Sequence, residues 1–176
     1  LTQAIEIAAQ AKGWARYSHA DLIREITSTA GSLKLIAGQV ADLEGAGKNL
    51  TLPQLQYIHE QKTSALLACS VRLGGMSANC TANQLKALTA FGNHVGLAFQ
   101  VIDDILDVTK TTKQLGKTAG KDLKAAKATY PTIVGLDKSR NIANRLTDKS
   151  FACLKPFGGK AKVLEGIAHS LLERVN

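Results

Sequence analysis

The stretch that most constrains this chain is a long helical run from Thr81 to about Val108. Thr81-Ala-Asn-Gln84 has the pattern of a capping box, in which the two side chains satisfy otherwise unpaired backbone N–H groups at a helix start. Leu85, Leu88, Phe91, Val95, Ala98 and Ile102 then recur at helical spacing. At about 28 residues, Thr81 to Val108 is long for a globular helix, and the shorter elements must be arranged around it.

Three carboxylates interrupt its apolar end, Gly96-Leu-Ala-Phe-Gln-Val-Ile-Asp-Asp-Ile-Leu-Asp-Val108. Asp103 and Asp107 are one turn apart and share a face, with Gln100 a turn earlier on roughly the same side. Asp104 points about 100° away. A solvated acidic face is one reading. The flanking Val101, Ile102, Ile105, Leu106 and Val108 favour a buried helix instead, and charged side chains are rarely buried unpaired. The carboxylates also sit at the end of the helix where its dipole disfavours negative charge. A cation supplied from outside resolves both conflicts. The fitting one is a hard, oxygen-seeking ion such as Mg²⁺, which commonly takes one or two carboxylates plus substrate phosphates.

The rest of the chain also reads as helices. Leu1 to Lys12 carries an apolar helical pattern, and Asp21 is placed to cap a second helix through Leu22, Ile23, Ile26 and Leu33. Small residues dominate Thr29 to Ala46, where Gln39 and Asp42, three apart, face a shared polar cavity or the surface. Thr51-Leu-Pro-Gln54 is another capping box, opening a helix through Leu55, Ile58, Leu66, Leu67 and Val71 that Gly74-Gly75 ends. Lys62-Thr63 falls in its middle; a helical lysine is ordinarily solvated and carries no message alone. Thr129-Tyr-Pro131 starts a helical stretch continuing to Leu154, Pro156-Phe-Gly-Gly159 is a turn, and Lys160 to Val175 is a terminal amphipathic helix. No strand pattern, repeat, zinc motif or P-loop is visible, so the fold class is all-α.

The 176 residues, 45% hydrophobic and only 5% aromatic, suit one domain with an aliphatic core. No apolar run reaches the ~20 residues of a membrane span, so no stable membrane anchor is expected. Three widely spaced cysteines, Cys69, Cys80 and Cys153, read as free thiols in a reducing cytoplasm. The net charge of +8 fits anionic partners. Lys110, Lys113, Lys117, Lys121, Lys124 and Lys127 follow the aspartates at helix-like spacing, which raises a nucleic-acid or membrane-binding helix. Gly116 and Gly120 weaken such a helix, and no aromatic residue lies between Lys110 and Thr129 to stack on bases. A glycine-lysine loop beside a carboxylate cluster fits a metal-bound phosphate ester better.

Taken in order, these segments resemble the C-terminal half of a trans-isoprenyl diphosphate synthase (polyprenyl synthetase), with the bacterial farnesyl diphosphate synthase group the most similar. The stretch from Gly96 to Val108 resembles the family's second DDxxD motif. Leu115-Gly-Lys-Thr-Ala-Gly-Lys-Asp-Leu and Lys127-Ala-Thr-Tyr-Pro-Thr are similar to the segments that follow it. Gly38-Gln-Val-Ala-Asp-Leu43 and Ile58-His-Glu-Gln-Lys-Thr-Ser-Ala-Leu66 are similar to two that precede it.

The resemblance implies the C-terminal part of a single prenyltransferase domain over residues 1–176, a helical bundle around a central cavity, a homodimer, Mg²⁺, and isopentenyl and allylic diphosphates as substrates. It implies that Asp103 ligates Mg²⁺ while Asp104 and Asp107 hold metal-bound water or support the ligand. Lys62 and Lys117 would grip the allylic diphosphate. Thr63 and Gln100 would line the carbocation's path. Gln39, Asp42, Phe99 and Lys127 would complete the substrate wall.

The family's first DDxxD motif, with its adjacent arginines, is missing here; the only DDxxD is the one at Asp103. With Leu1 in place of a starting Met, a piece of a longer enzyme, inactive alone, is the expectation. A non-catalytic subunit of a heteromeric synthase is the alternative, and a basic nucleic-acid or membrane-binding module a more distant one, since nothing in such a module requires the three aspartates.

Overall fold

The computed structural model describes residues 1–11, 15–109 and 128–173. Every regular element among them is helical. In chain order these are α1 (Thr2–Gln10), α2 (His19–Ala30), α3 (Leu35–Gly45), α4 (Leu52–His59), a π-helical turn (Glu60–Ser64), α5 (Ala65–Ser77), α6 (Ala82–Thr109), α7 (Tyr130–Val134), α8 (Leu136–Leu154), a 3₁₀ turn (Lys155–Ala161) and α9 (Lys162–Leu172). No helix among the described residues is long and apolar enough to cross a membrane.

The long helix is α6, 28 residues, or about 42 Å at 1.5 Å per residue. Its start is built as the sequence predicts: Thr81 N–H donates to Gln84 Oε1 (2.8 Å), and Gln84 N–H donates to Thr81 Oγ1 (3.3 Å). At the start of α4, Thr51 N–H likewise donates to Gln54 Oε1 (2.8 Å). The cap of α2 differs from the expectation. Ser18 is the capping residue, accepting from Asp21 N–H (3.2 Å), and Asp21 sits one turn in, its carboxylate taking the Ser18 N–H (2.8 Å).

Two other boundaries move. Gly74-Gly75 does not end its helix: α5 runs on to Ser77 and stops where Asn79 takes the left-handed conformation (φ 54°), which Asn tolerates through its short polar side chain. Gly75 is instead a contact residue, since a Cβ there would lie 2.5 Å from Leu88 Cδ1. The stretch after Thr129 is broken at Gly135 (φ 83°), which separates α7 from α8.

Two core clusters are strung along α6. Its C-terminal half contributes Ala98, Val101, Ile102, Ile105 and Leu106, packed with Leu55 of α4, Tyr130 of α7, Ala143 of α8 and Leu172 of α9. Its N-terminal half contributes Leu88, Phe91 and Val95, packed with Leu154, Ala161 and Ala168. Val101 and Ile105 are 0% and 1% exposed, and burial of each such side chain contributes about 1.5–3 kcal/mol. A third cluster joins Ala8, Leu22, Ile26 and Met76. The helices α2, α5 and α6 are also tied by Arg72, whose guanidinium makes two bonds to the Glu25 carboxylate (2.7 and 2.8 Å) and one to Thr89 Oγ1 (2.6 Å).

Candidate functional site

The three aspartates of α6 divide as the helical rotation dictates. Asp103 and Asp107 share a face and are partly buried. Asp104 turns inward and is 6% exposed. Its Oδ2 accepts the Tyr130 N–H at 2.9 Å and lies 3.1 Å from His59 Nε2. With Asp104 as a carboxylate, which offers only acceptors, the hydrogen of this contact belongs to His59 Nε2. The His59 ring is itself buried and stacks on the Tyr130 ring, centroids 5.7 Å apart and planes 15° off parallel. Burial, then the Asp104 and Glu60 carboxylates, push the Tyr130 phenol well above its usual pKa.

The three aspartates are therefore, as their helical angles predict, a pair on one face and a third group committed to the core. Among the described residues, no three His, Cys, Asp or Glu side chains gather to hold a metal. Asp103 and Asp107 present carboxylate oxygens on one partly buried face, the donor type that Mg²⁺ takes when phosphates and water supply the rest.

Lys62 lies on the π turn, an extra-residue irregularity of the kind frequent at functional sites. The turn is pinned from two sides. A Cβ on Gly38 of α3 would run into the backbone N of Lys62, and one on Gly96 of α6 would sit 2.5 Å from Ser64 Cα. The same seam continues one turn along α6, where a Cβ on Gly92 would sit 2.5 Å from Ala68 Cα. Only glycine permits backbones so close. Within this grip, Lys62 Nζ reaches Asp42 Oδ2 at 2.6 Å, both side chains partly buried.

The structure thus brings Lys62 and Asp42 together, and sets Gln100 and Asp103 one and two turns beyond the Gly96 crossing on α6. Thr63 is partly buried beside Lys62, and Phe99 packs on the core cluster around Ile102. Gln39 is exposed on α3 and shares no hydrogen bond with Asp42. Lys117 and Lys127 lie outside the described residues. A polar cavity of about 540 Å³, lined by Glu25, Glu60, Gln61, Arg72 and His94 among others, borders the π turn but none of the aspartates.

His59 and Tyr130 carry no role in the sequence reading. The available signal was His59 one turn before Lys62 and next to the apolar Ile58, a position where a histidine needs a polar partner.

The polyprenyl synthetase family model matches residues 2–156. The chain is 42% identical over 172 residues to the chloroplastic geranylgeranyl pyrophosphate synthase of Catharanthus roseus, covering 97% of this chain and 48% of that protein. It is 42% identical over 156 residues to the dimethylallyltranstransferase of Fischerella ambigua (strain UTEX 1903), covering 88% and 45%. Among solved structures it is similar to the geranyltransferase of Helicobacter pylori complexed with magnesium and isoprenyl diphosphate, at 30% identity and a TM-score of 0.78 over 98% of this chain and 56% of that one. It is also similar to the geranylgeranyl pyrophosphate synthetase of Pyrococcus horikoshii Ot3, at 26% identity and a TM-score of 0.85 over 98% and 64%. The chain spans about half the length of the curated relatives it matches.

Proposed function

The chain belongs to the polyprenyl synthetase family, and on that premise we propose that it supplies one wall of a prenyltransferase active site, joining isopentenyl diphosphate to an allylic diphosphate. The observation that carries the reading is the pinned π turn. It fixes an ammonium group, Lys62, on rigid backbone between α3 and α6, and α6 brings Asp103 and Asp107. A phosphate clamp and a metal wall on stiff helices are what such a reaction asks of a protein.

Asp103 and Asp107 would hold Mg²⁺, and when bound it supplies positive charge against the departing diphosphate. Lys62 binds a diphosphate oxygen through its ammonium group, and Asp42 keeps that group extended while the site is empty. Gln100 presents an amide on the aspartate face. An apolar lining around the allylic chain would exclude water from the cation left when the C–O bond breaks. The isopentenyl double bond then attacks that cation, and the proton lost goes to the released diphosphate. Lys117 and Lys127 are proposed as further diphosphate contacts.

The product is a short chain. Farnesyl diphosphate is our first choice, and the geranylgeranyl names among the relatives make the longer product the competing one. A homodimer is proposed, supported by Ile36, Val40 and Leu43, which leave an exposed apolar stripe along α3 for a partner or the rest of the protein to cover. A heteromeric assembly is the second reading, since one relative is named as the large subunit of a heterodimeric geranylgeranyl pyrophosphate synthase. Three free thiols support a reducing compartment such as the cytoplasm.

The test is turnover by the full-length protein given isopentenyl diphosphate, dimethylallyl diphosphate and Mg²⁺, with the product identified by mass. Asp103→Asn is expected to lower turnover by about 100-fold or more, a typical loss when transition-state charge stabilisation is removed. Undiminished turnover would refute the metal role.

A further inference from the structure

We propose that Asp104 and His59 are positioning residues: the two hold the lysine-bearing π turn in register with the face that carries Asp103 and Asp107. The proposal rests on the metal and diphosphate reading above. It goes further than a supporting role for Asp104 by naming what Asp104 holds in place.

The geometry separates the roles. Asp104 is buried, and its Oδ2 faces two protein donors, Tyr130 N–H at 2.9 Å and His59 Nε2 at 3.1 Å. An oxygen bonded twice inside the core is spoken for. Asp103 and Asp107, on the other face, keep contact with solvent. His59 is equally fixed, 4% exposed and stacked on Tyr130, so its ring cannot swing away from the carboxylate.

His59 closes α4, and the π turn begins at the next residue. Lys62 follows three residues later on continuous helical backbone, so a displacement of His59 is passed to the lysine. The Gly96–Ser64 contact holds the turn at its far end. His59–Asp104 is thus the second fastening between the turn and α6. The Gly38 and Gly96 contacts hold the middle and far end of the turn, and His59–Asp104 fixes its entry.

The experiment uses the full-length protein, Mn²⁺ as the metal probe read by electron paramagnetic resonance, and inorganic diphosphate binding read by calorimetry. Asp103→Asn should weaken Mn²⁺ at least about tenfold, whereas Asp104→Asn, which keeps an acceptor of the same shape, should stay within about threefold of the parent. His59→Ala should leave Mn²⁺ affinity within about threefold but weaken diphosphate at least about tenfold. His59→Gln, whose Nε2 can donate to the same carboxylate, should restore most of that loss; a residue that only fills space would not be rescued by hydrogen-bonding chemistry.

An Mn²⁺ loss in Asp104→Asn equal to that in Asp103→Asn would make Asp104 a ligand and overturn the inference while leaving the metal reading intact. Diphosphate binding unchanged in His59→Ala would overturn it too. An Asp103→Asn protein that binds Mn²⁺ normally would remove the metal reading itself, and the inference with it.

Discussion

Replacing Gly96 with alanine tests the seam on which the site hangs. The new methyl carbon would sit 2.5 Å from Ser64 Cα, 2.7 Å from its Cβ and 2.8 Å from its Oγ. Carbon atoms rest about 3.5–4.0 Å apart, so the intrusion is roughly 1 Å against backbone that cannot rotate aside. Overpacking of this kind costs about 1–3 kcal/mol, and the obstacle here puts it near the upper end. Alanine's better helix propensity returns about 1 kcal/mol. The net is a loss of ~2 kcal/mol, or ~4 °C at the roughly 2 °C per kcal/mol of a larger domain. Gly166 in α9 is the control, since a Cβ there meets nothing within 4 Å. Gly166→Ala should gain up to ~1 kcal/mol. Thermal unfolding of the full-length protein measures both. Gly96→Ala should also weaken inorganic diphosphate binding, because the methyl pushes the Lys62 turn away from α6. Equal stability of the two variants, with diphosphate binding unchanged, would refute the claim that the seam sets the turn.

Two further outcomes follow from side chains away from the aspartates. Arg72→Met should destabilise by about 1–3 kcal/mol, less than a fully buried pair because both partners retain some exposure, and a loss under 0.5 kcal/mol in urea unfolding would show that α2 is held by packing alone. His94 has its pKa lowered, first by burial and then by Lys149. Its unfolded state therefore takes up the proton first, so stability should fall as pH drops below about 6.5 and level off below the folded pKa. His94→Gln should flatten that part of the pH–stability curve, and an unchanged slope would assign it to other groups.

What the sequence discloses is what is local to it. Thr81 with Gln84 and Thr51 with Gln54 announce their helices because a capping box needs only residues three apart. The length of α6 follows from an apolar period that any window along it contains. Even the separation of Asp104 from Asp103 and Asp107 is legible as an angle. Its destination is not, because His59 and Tyr130 come from helices 45 and 26 residues away. The π turn is hidden for the same reason. Glu60 to Ser64 reads as ordinary helix, and the irregularity is tied to the approach of Gly38 and Gly96 from separate elements. Gly74-Gly75 misleads because glycine both ends helices and lets them touch, and only the presence of Leu88 opposite decides which.

The glycine seam also makes α6 a ruler with a single legal setting. Gly92 opposes Ala68 and Gly96 opposes Ser64, so the two helices run past each other in opposite directions with small residues at both marks. A slip of one turn one way brings Leu88 to the mark at Ala68. A slip the other way brings Gln100 to the mark at Ser64. Neither side chain fits where a lone Cβ already collides. The axial offset between the backbones of Lys62 and Asp103 is therefore quantised: the two residues keep one register, or the helices do not close.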